Sequence, residues 1–237
     1  MDRQYTFTEF VQLIRALRAE NGCPWDREQT HESLKPCMTE EAAELLAAIR
    51  IYEKTGNAEN MREELGDILL QAVMHSVIAE EEGLFTIDDV VEEVSQKMIR
   101  RHPHVFGEAL AKNAEQALSS WEEIKKKEKE GKSWIVSPLR EIPEELPALA
   151  RACKVAKKAD RLYGLPEGEE TFWQRMEEAL EKLKEAAQTG EKESTEESLA
   201  DMLWLLSEFA YRKKLAPEQA LADKTAEKVE FFEPQNE

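Results

Sequence analysis

Apolar residues recur every three to four positions through most of this chain, the period of helices with one covered face. Phe10, Leu13, Ile14 and Leu17 follow Thr6-Phe7-Thr8-Glu9, a capping box, and predict an opening helix of about 14 residues. Asn21-Gly22-Cys23-Pro24-Trp25-Asp26 ends it, with Gly22 as a left-handed cap and Pro24 barring continuation. Met38, Ala42, Leu45, Leu46 and Ile49 make the apolar stripe of a helix from about Thr39 to Lys54. After a polar break at Thr55-Gly56-Asn57, a second helix runs from about Asn57 to Glu82. Its stretch Ile68 to Ala79 is apolar around nearly the whole circumference, which is how a helix buried on all sides reads. Thr86-Ile87-Asp88-Asp89, another capping box, opens a helix with Val90, Val91, Val94 and Met98 turned inward, and His102-Pro103-His104 stops it. Ala114 to Glu130 reads as a charged helix.

Gly131 to Pro143, with Ser133, Ser137 and Pro138, is the best boundary candidate, and beyond it the pattern recurs. Glu177-Glu178-Ala179-Leu180-Glu181 repeats Glu40-Glu41-Ala42-Ala43-Glu44, and Ser198-Leu199-Ala200-Asp201 echoes Glu64-Leu65-Gly66-Asp67. Offsets between matching positions drift from 137 (Glu41 to Glu178) through 134 (Asp67 to Asp201) to 131 (Arg100 to Phe231), as a duplication with trimmed loops would give. The expected fold is therefore all-α, with tandem helical-bundle domains over residues 1–132 and 138–237. In the second copy Leu180, Leu183, Leu199, Met202, Leu203, Leu205, Leu206 and Phe209 keep the core stripes. Ser198 stands in place of a glutamate, and Phe231 and Phe232 in place of two arginines, so this copy is expected to be structural.

Charge narrows the function. With 50 acidic and 32 basic residues the net charge is −18, which excludes a protein that grips a nucleic acid backbone or an anionic membrane. Nothing in the chain is apolar over the roughly 18 residues of a membrane helix, and the first residues read as no targeting segment. Cys23, Cys37 and Cys153 show no paired spacing, so a reduced, cytoplasmic setting is expected. Pro103 between His102 and His104 breaks helical ligand geometry and speaks against zinc.

The chemistry concentrates between Glu40 and Asp67. On a helix Glu41 and Glu44 lie at i and i+3, Glu40 and Glu44 at i and i+4, and Glu64 and Asp67 repeat the spacing on the next helix. Like charges so placed destabilise a helix by roughly 0.2–0.5 kcal/mol per pair unless a cation sits among them. An E-E-x-x-E alone is more readily a solvated face. Asp67, however, shares a stripe with Gln71, Met74 and Ile78, so its carboxylate continues a line of core residues and needs a partner. Lys97, Arg100 and Arg101 close the following helix; they either complement its dipole or form a phosphate clamp opposite the carboxylates. Trp25 either anchors its loop or lines a base-sized pocket.

Five elements, taken in order, resemble the MazG-type nucleoside triphosphate pyrophosphohydrolases: Asn21 to Asp26 (NGCPWD), Glu40-Glu41 with Glu44, Glu64-Leu65-Gly66-Asp67, Arg100 to Phe106 (RRHPHVF) and Trp121 to Lys125 (WEEIK). The resemblance implies a helical bundle that forms a homodimer and uses Mg²⁺, with Mn²⁺ as a substitute, to cut a nucleoside triphosphate into monophosphate and pyrophosphate. It further implies that Glu41, Glu44, Glu64 and Asp67 hold the metal and that Glu40 or Glu41 activates water. Lys97, Arg100, Arg101, Lys125 and Trp25 would bind substrate. The competing expectation is a catalytically silent helical adaptor that binds a partner protein through its acidic faces.

Overall fold

A computed structural model describes residues 4–129, 137–164 and 168–233. Eleven α-helices and no strand occur among the described residues, so the chain is all-α. They fall into two compact units, Met1–Glu130 and Gly131–Glu237. Of the stretch expected as a boundary, residues 131–136 lie outside the described residues.

Unit 1 contains α1 (Phe7–Arg18), α2 (Pro24–Glu28), α3 (Lys35–Thr55), α4 (Glu59–Glu81), α5 (Ile87–Arg101), α6 (Pro103–Phe106) and α7 (Ala114–Lys129). Both capping boxes form. Glu9 N–H donates to Thr6 Oγ1 and Thr6 N–H to Glu9 Oε2, and Thr86 and Asp89 repeat the exchange at the start of α5. α3 begins four residues before the expected Thr39, because Pro36 in its first turn lacks only an N–H that has no helical partner there. It ends at Gly56, whose φ of 73° is left-handed. α4 starts two residues after Asn57, whose Oδ1 accepts the Glu59 N–H at 2.8 Å and so serves the helix from outside it.

Gly22 does not supply the left-handed cap expected of it, since its φ is not positive. The requirement there is space: a Cβ at Gly22 would stand 2.2 Å from the Leu17 carbonyl oxygen. The turn is closed instead by Cys23 N–H donating to Leu17 O at 2.7 Å. Arg18 completes it, donating to the carbonyls of Asp26 and Gln29 and pairing with Glu81 at 2.7 Å.

The core of unit 1 gathers Val11 and Ile14 of α1, Leu34, Val73, Met74, Val77 and Ile78 of α4, and Ile87 of α5. α4 is thus enclosed along its C-terminal half, where α1 crosses it, but not along the whole of its apolar stretch: Leu69 is 42% exposed and Leu65, one turn earlier, 50%. Leu46 and Ile49 on α3 are also exposed. Val90, Val91, Val94 and Met98, expected to face inward, are exposed as well. α5 is covered at its first turn by α4 and approached by α6 and α7, and among the described residues no element of unit 1 shields the stripe between.

Unit 2 contains α8 (Ala148–Tyr163), α9 (Glu169–Thr189), α10 (Lys192–Arg212) and α11 (Pro217–Phe232). Its α9–α10 hairpin turns at Gly190, φ 74°, and buries Phe172, Ala179 and Leu205 against Met176, Met202 and Phe209. Of the expected core stripes, Leu180, Leu199, Leu203 and Leu206 are exposed. The space beside Phe172 is taken by ions: Glu208, 2% exposed, accepts from Arg212 at 2.6 Å and pairs with Arg175 at 3.4 Å, and Arg212 lies 5.1 Å above the Phe172 ring. Leu199, Leu203 and Leu206 fall on another side of α10 from Glu208 and Arg212, and that side stays exposed.

Candidate functional site

The α3–α4 hairpin brings three carboxylates together. Glu41 comes from α3, Glu64 and Asp67 from successive turns of α4, and one oxygen of each lies within 4.8 Å of the other two. All three are partly covered by protein, Glu64 the most. Asn60, one turn before Glu64, donates from Nδ2 to Glu64 Oε1 at 2.6 Å and fixes that carboxylate. No cationic side chain among the described residues pairs with any of the three. Two unit charges about 4 Å apart repel by on the order of 1–4 kcal/mol between the water and protein-surface limits. The repulsion is visible in the Glu41 carboxyl, which burial holds above the usual carboxylate range, aided by the charges of Asp67, Glu44, Glu64 and Glu40. Three acceptor-only oxygen donors with no protein counter-ion fit a hard divalent cation.

Glu40 and Glu44 stand outside this trio. Both are exposed on α3 and act on Glu41 through their charge. Gln71, one turn after Asp67, is buried, and its Oε1 has no hydrogen-bond partner among the described residues.

The basic residues form a separate group. Arg100 and Arg101, at the end of α5, meet Glu128 of α7, and neither bonds to the carboxylate trio. Arg101 and Lys125 both lie against the Trp121 ring, at 5.2 and 4.7 Å. Lys97 is half-buried, with no ion pair among the described residues. Trp25 is 61% exposed, so its indole does not anchor the α2 loop; Arg18 does.

Two contacts had no signal in local spacing. Glu128 is one acid in a highly charged helix, and nothing marks it until α7 is laid beside α5. His31 and His75, 44 residues apart, stack at 5.1 Å with their Nδ1 atoms 2.8 Å apart. Burial, then the neighbouring His31, holds the His75 imidazole below its ordinary range.

In unit 2 the matching residues meet a different environment. Glu178 and Asp201 line a cleft of about 250 Å³ together with Arg175, Lys182 and Trp204. Ser198 spends its hydroxyl on the Ser194 carbonyl at 2.9 Å. Phe231 and Phe232 are exposed at the end of α11.

Known proteins resemble the chain, one of them over both units. The family model described as the MazG nucleotide pyrophosphohydrolase domain matches residues 29–106, which include the trio and both arginines. A nucleoside triphosphate pyrophosphohydrolase/pyrophosphatase MazG of Thermotoga maritima is 42% identical over 234 residues, 98% of this chain and 86% of the relative. A nucleoside triphosphate pyrophosphohydrolase of Escherichia coli is 43% identical over 147 residues, 62% of this chain and 54% of the relative. The uncharacterized protein YabN of Bacillus subtilis is 48% identical over 153 residues, 65% of this chain and 30% of the relative.

Proposed function

The chain belongs to the MazG nucleotide pyrophosphohydrolase family, and on that premise we propose that unit 1 hydrolyses nucleoside triphosphates to nucleoside monophosphate and pyrophosphate. The observation that carries this reading is the convergence of Glu41, Glu64 and Asp67 with no protein cation among them. These three would hold Mg²⁺, or Mn²⁺ in its place, with Glu44 at the margin. The ion supplies Lewis-acid polarisation of water and phosphate and neutralises charge on the polyphosphate.

The chain's own residues do the rest. Glu40 or Glu41 accepts the proton of the attacking water, whose oxygen bonds to the α-phosphorus as the bond to the α–β bridging oxygen breaks. Asn60 keeps Glu64 in place. Lys97, Arg100, Arg101 and Lys125 take the charge that builds on the departing pyrophosphate, and Trp25 offers an exposed ring to a base. Unit 2 is structural.

A homodimer is part of the proposal. Leu46, Ile49, Leu65, Leu69, Val90, Val91, Val94 and Met98 leave unit 1 with an uncovered apolar surface of the kind that a second copy buries. A cytoplasmic setting is also part of the proposal, on the unpaired spacing of Cys23, Cys37 and Cys153. Incubation with each nucleoside triphosphate and Mg²⁺, followed by product identification, tests the activity. Monophosphate plus pyrophosphate is expected; diphosphate plus phosphate would mean another bond is cut, and no turnover would return the protein to the adaptor reading. Light scattering at micromolar concentration should give a dimer mass.

A further inference from the structure

We propose that Glu128 is a positioning residue that gathers Arg100 and Arg101 into one phosphate-binding group, a role that rests on the activity proposed above. Neighbouring residues on a helix point about 100° apart, so Arg100 and Arg101 diverge by default. One carboxylate reverses that. Glu128 Oε1 accepts from Arg100 Nε at 3.3 Å, and Glu128 Oε2 from Arg101 Nε and an Arg101 terminal amine at 2.8 and 2.6 Å. The Glu128 side chain is 18% exposed and that of Arg101 12%, so that pair is screened less than a surface bridge, while Arg100, 52% exposed, is held by the longer bond alone.

α7 presents Trp121, Lys125 and Glu128 at i, i+4 and i+7, a single face. Trp121 supports the Arg101 guanidinium from one side and receives the Lys125 ammonium. Arg101 is thus held by the carboxylate on one hand and lies against the indole on the other, and Arg100 is drawn to the same acid. Both keep N–H donors with no partner among the described residues. Unspent donors on a fixed guanidinium are what bidentate recognition of a phosphate oxygen pair requires. Glu128 cancels one positive charge but removes the rotamer freedom that two long side chains would otherwise lose on binding. A carboxylate that merely competed with substrate would have the opposite effect on affinity.

Glu128→Gln and Glu128→Ala in the full chain decide between the two. Expected is a rise in KM for a nucleoside triphosphate, and in the inhibition constant of inorganic pyrophosphate, of about 10–100-fold, the range for a group that orients a direct ligand. kcat should fall by less, and calorimetric Mn²⁺ binding without nucleotide should not change. Glu128→Gln preserves volume and one acceptor, so it keeps α7 docked if the alanine variant unfolds. An unchanged KM, or tighter pyrophosphate binding in either folded variant, overturns the proposal. Should the wild-type chain release no pyrophosphate, the activity reading fails by itself; weaker calorimetric binding of pyrophosphate to Glu128→Gln than to wild type would still support the positioning role, and equal binding would end it.

Discussion

The α3–α4 and α9–α10 hairpins are built alike and solve the problem of acidic helices differently. Seven and eleven residues after Asp67 stand Met74 and Ile78, both in the core of unit 1. At the same distances after Asp201 stand Glu208 and Arg212, paired with each other, and Glu208 pairs with Arg175 as well. Three residues before each aspartate, Glu64 in unit 1 gives way to Ser198 in unit 2. In unit 2 cations stand near the corresponding acids: Arg175 and Lys182 line one cleft with Glu178 and Asp201. Unit 1 rests an apolar core under three carboxylates and supplies no cation to them. Repelling charges left without a cation on a well-packed scaffold call for a ligand of opposite sign, a call that is weaker where cations already stand among the acids. All four histidines also fall in unit 1.

The largest effect that sharpens this contrast is catalytic. Asp67→Asn or Glu41→Gln should lower kcat on the order of 10²–10³-fold, the cost of removing one transition-state stabiliser, while Asp201→Asn stays near wild type. Equal damage from Asp201→Asn in a steady-state assay would break the division of labour. Stability should show the reverse preference. Glu208→Gln removes the buried carboxylate that pairs with both Arg212 and Arg175 and should cost about 3 kcal/mol, the low end for breaking a buried pair because Arg175 is partly exposed. Urea unfolding should register that loss with pyrophosphohydrolysis at low denaturant intact.

Smaller again is Gly22→Ala, which forces a Cβ against the Leu17 carbonyl. About 1–3 kcal/mol should be lost, as for other overpacked sites, and measured melting should reveal it. The least effect concerns pH. Glu41 holds its proton more tightly folded than unfolded, so the metal-free protein gains stability as pH falls through the raised Glu41 range toward 4.5. Glu41→Gln should accordingly melt slightly higher than wild type near neutral pH, by roughly 0.2–0.5 kcal/mol per like-charge pair relieved, and the gap should close on acidification. Added Mg²⁺ should stabilise the wild type at neutral pH and do so progressively less as Glu41 takes up its proton. A melting difference that widens in acid would contradict the repulsion assigned to the trio.

Helix positions were legible because their causes are local. Capping boxes at Thr6 and Thr86, the left-handed break at Gly56 and the three-to-four-residue apolar period act within a turn or two of chain, and α1, α3, α4 and α5 follow from them. Burial was less legible. Val94 and Met98 of α5, and Leu203 and Leu206 of α10, carry the periodicity of core residues and lie exposed, since a stripe records that a face is apolar and not whether this chain alone covers it.

By itself the sequence determined that acids stand on neighbouring helices at spacings that share a face, and that cations follow one helix later. Only the tertiary structure decided that Glu41, and neither Glu40 nor Glu44, closes on Glu64 and Asp67, and that Glu128 draws two divergent arginines together. A helix turns about 100° per residue, so a one-residue choice swings a carboxylate to another side. The rotation of one helix against its neighbour is set by side-chain packing between segments far apart in the chain, where no local spacing reaches.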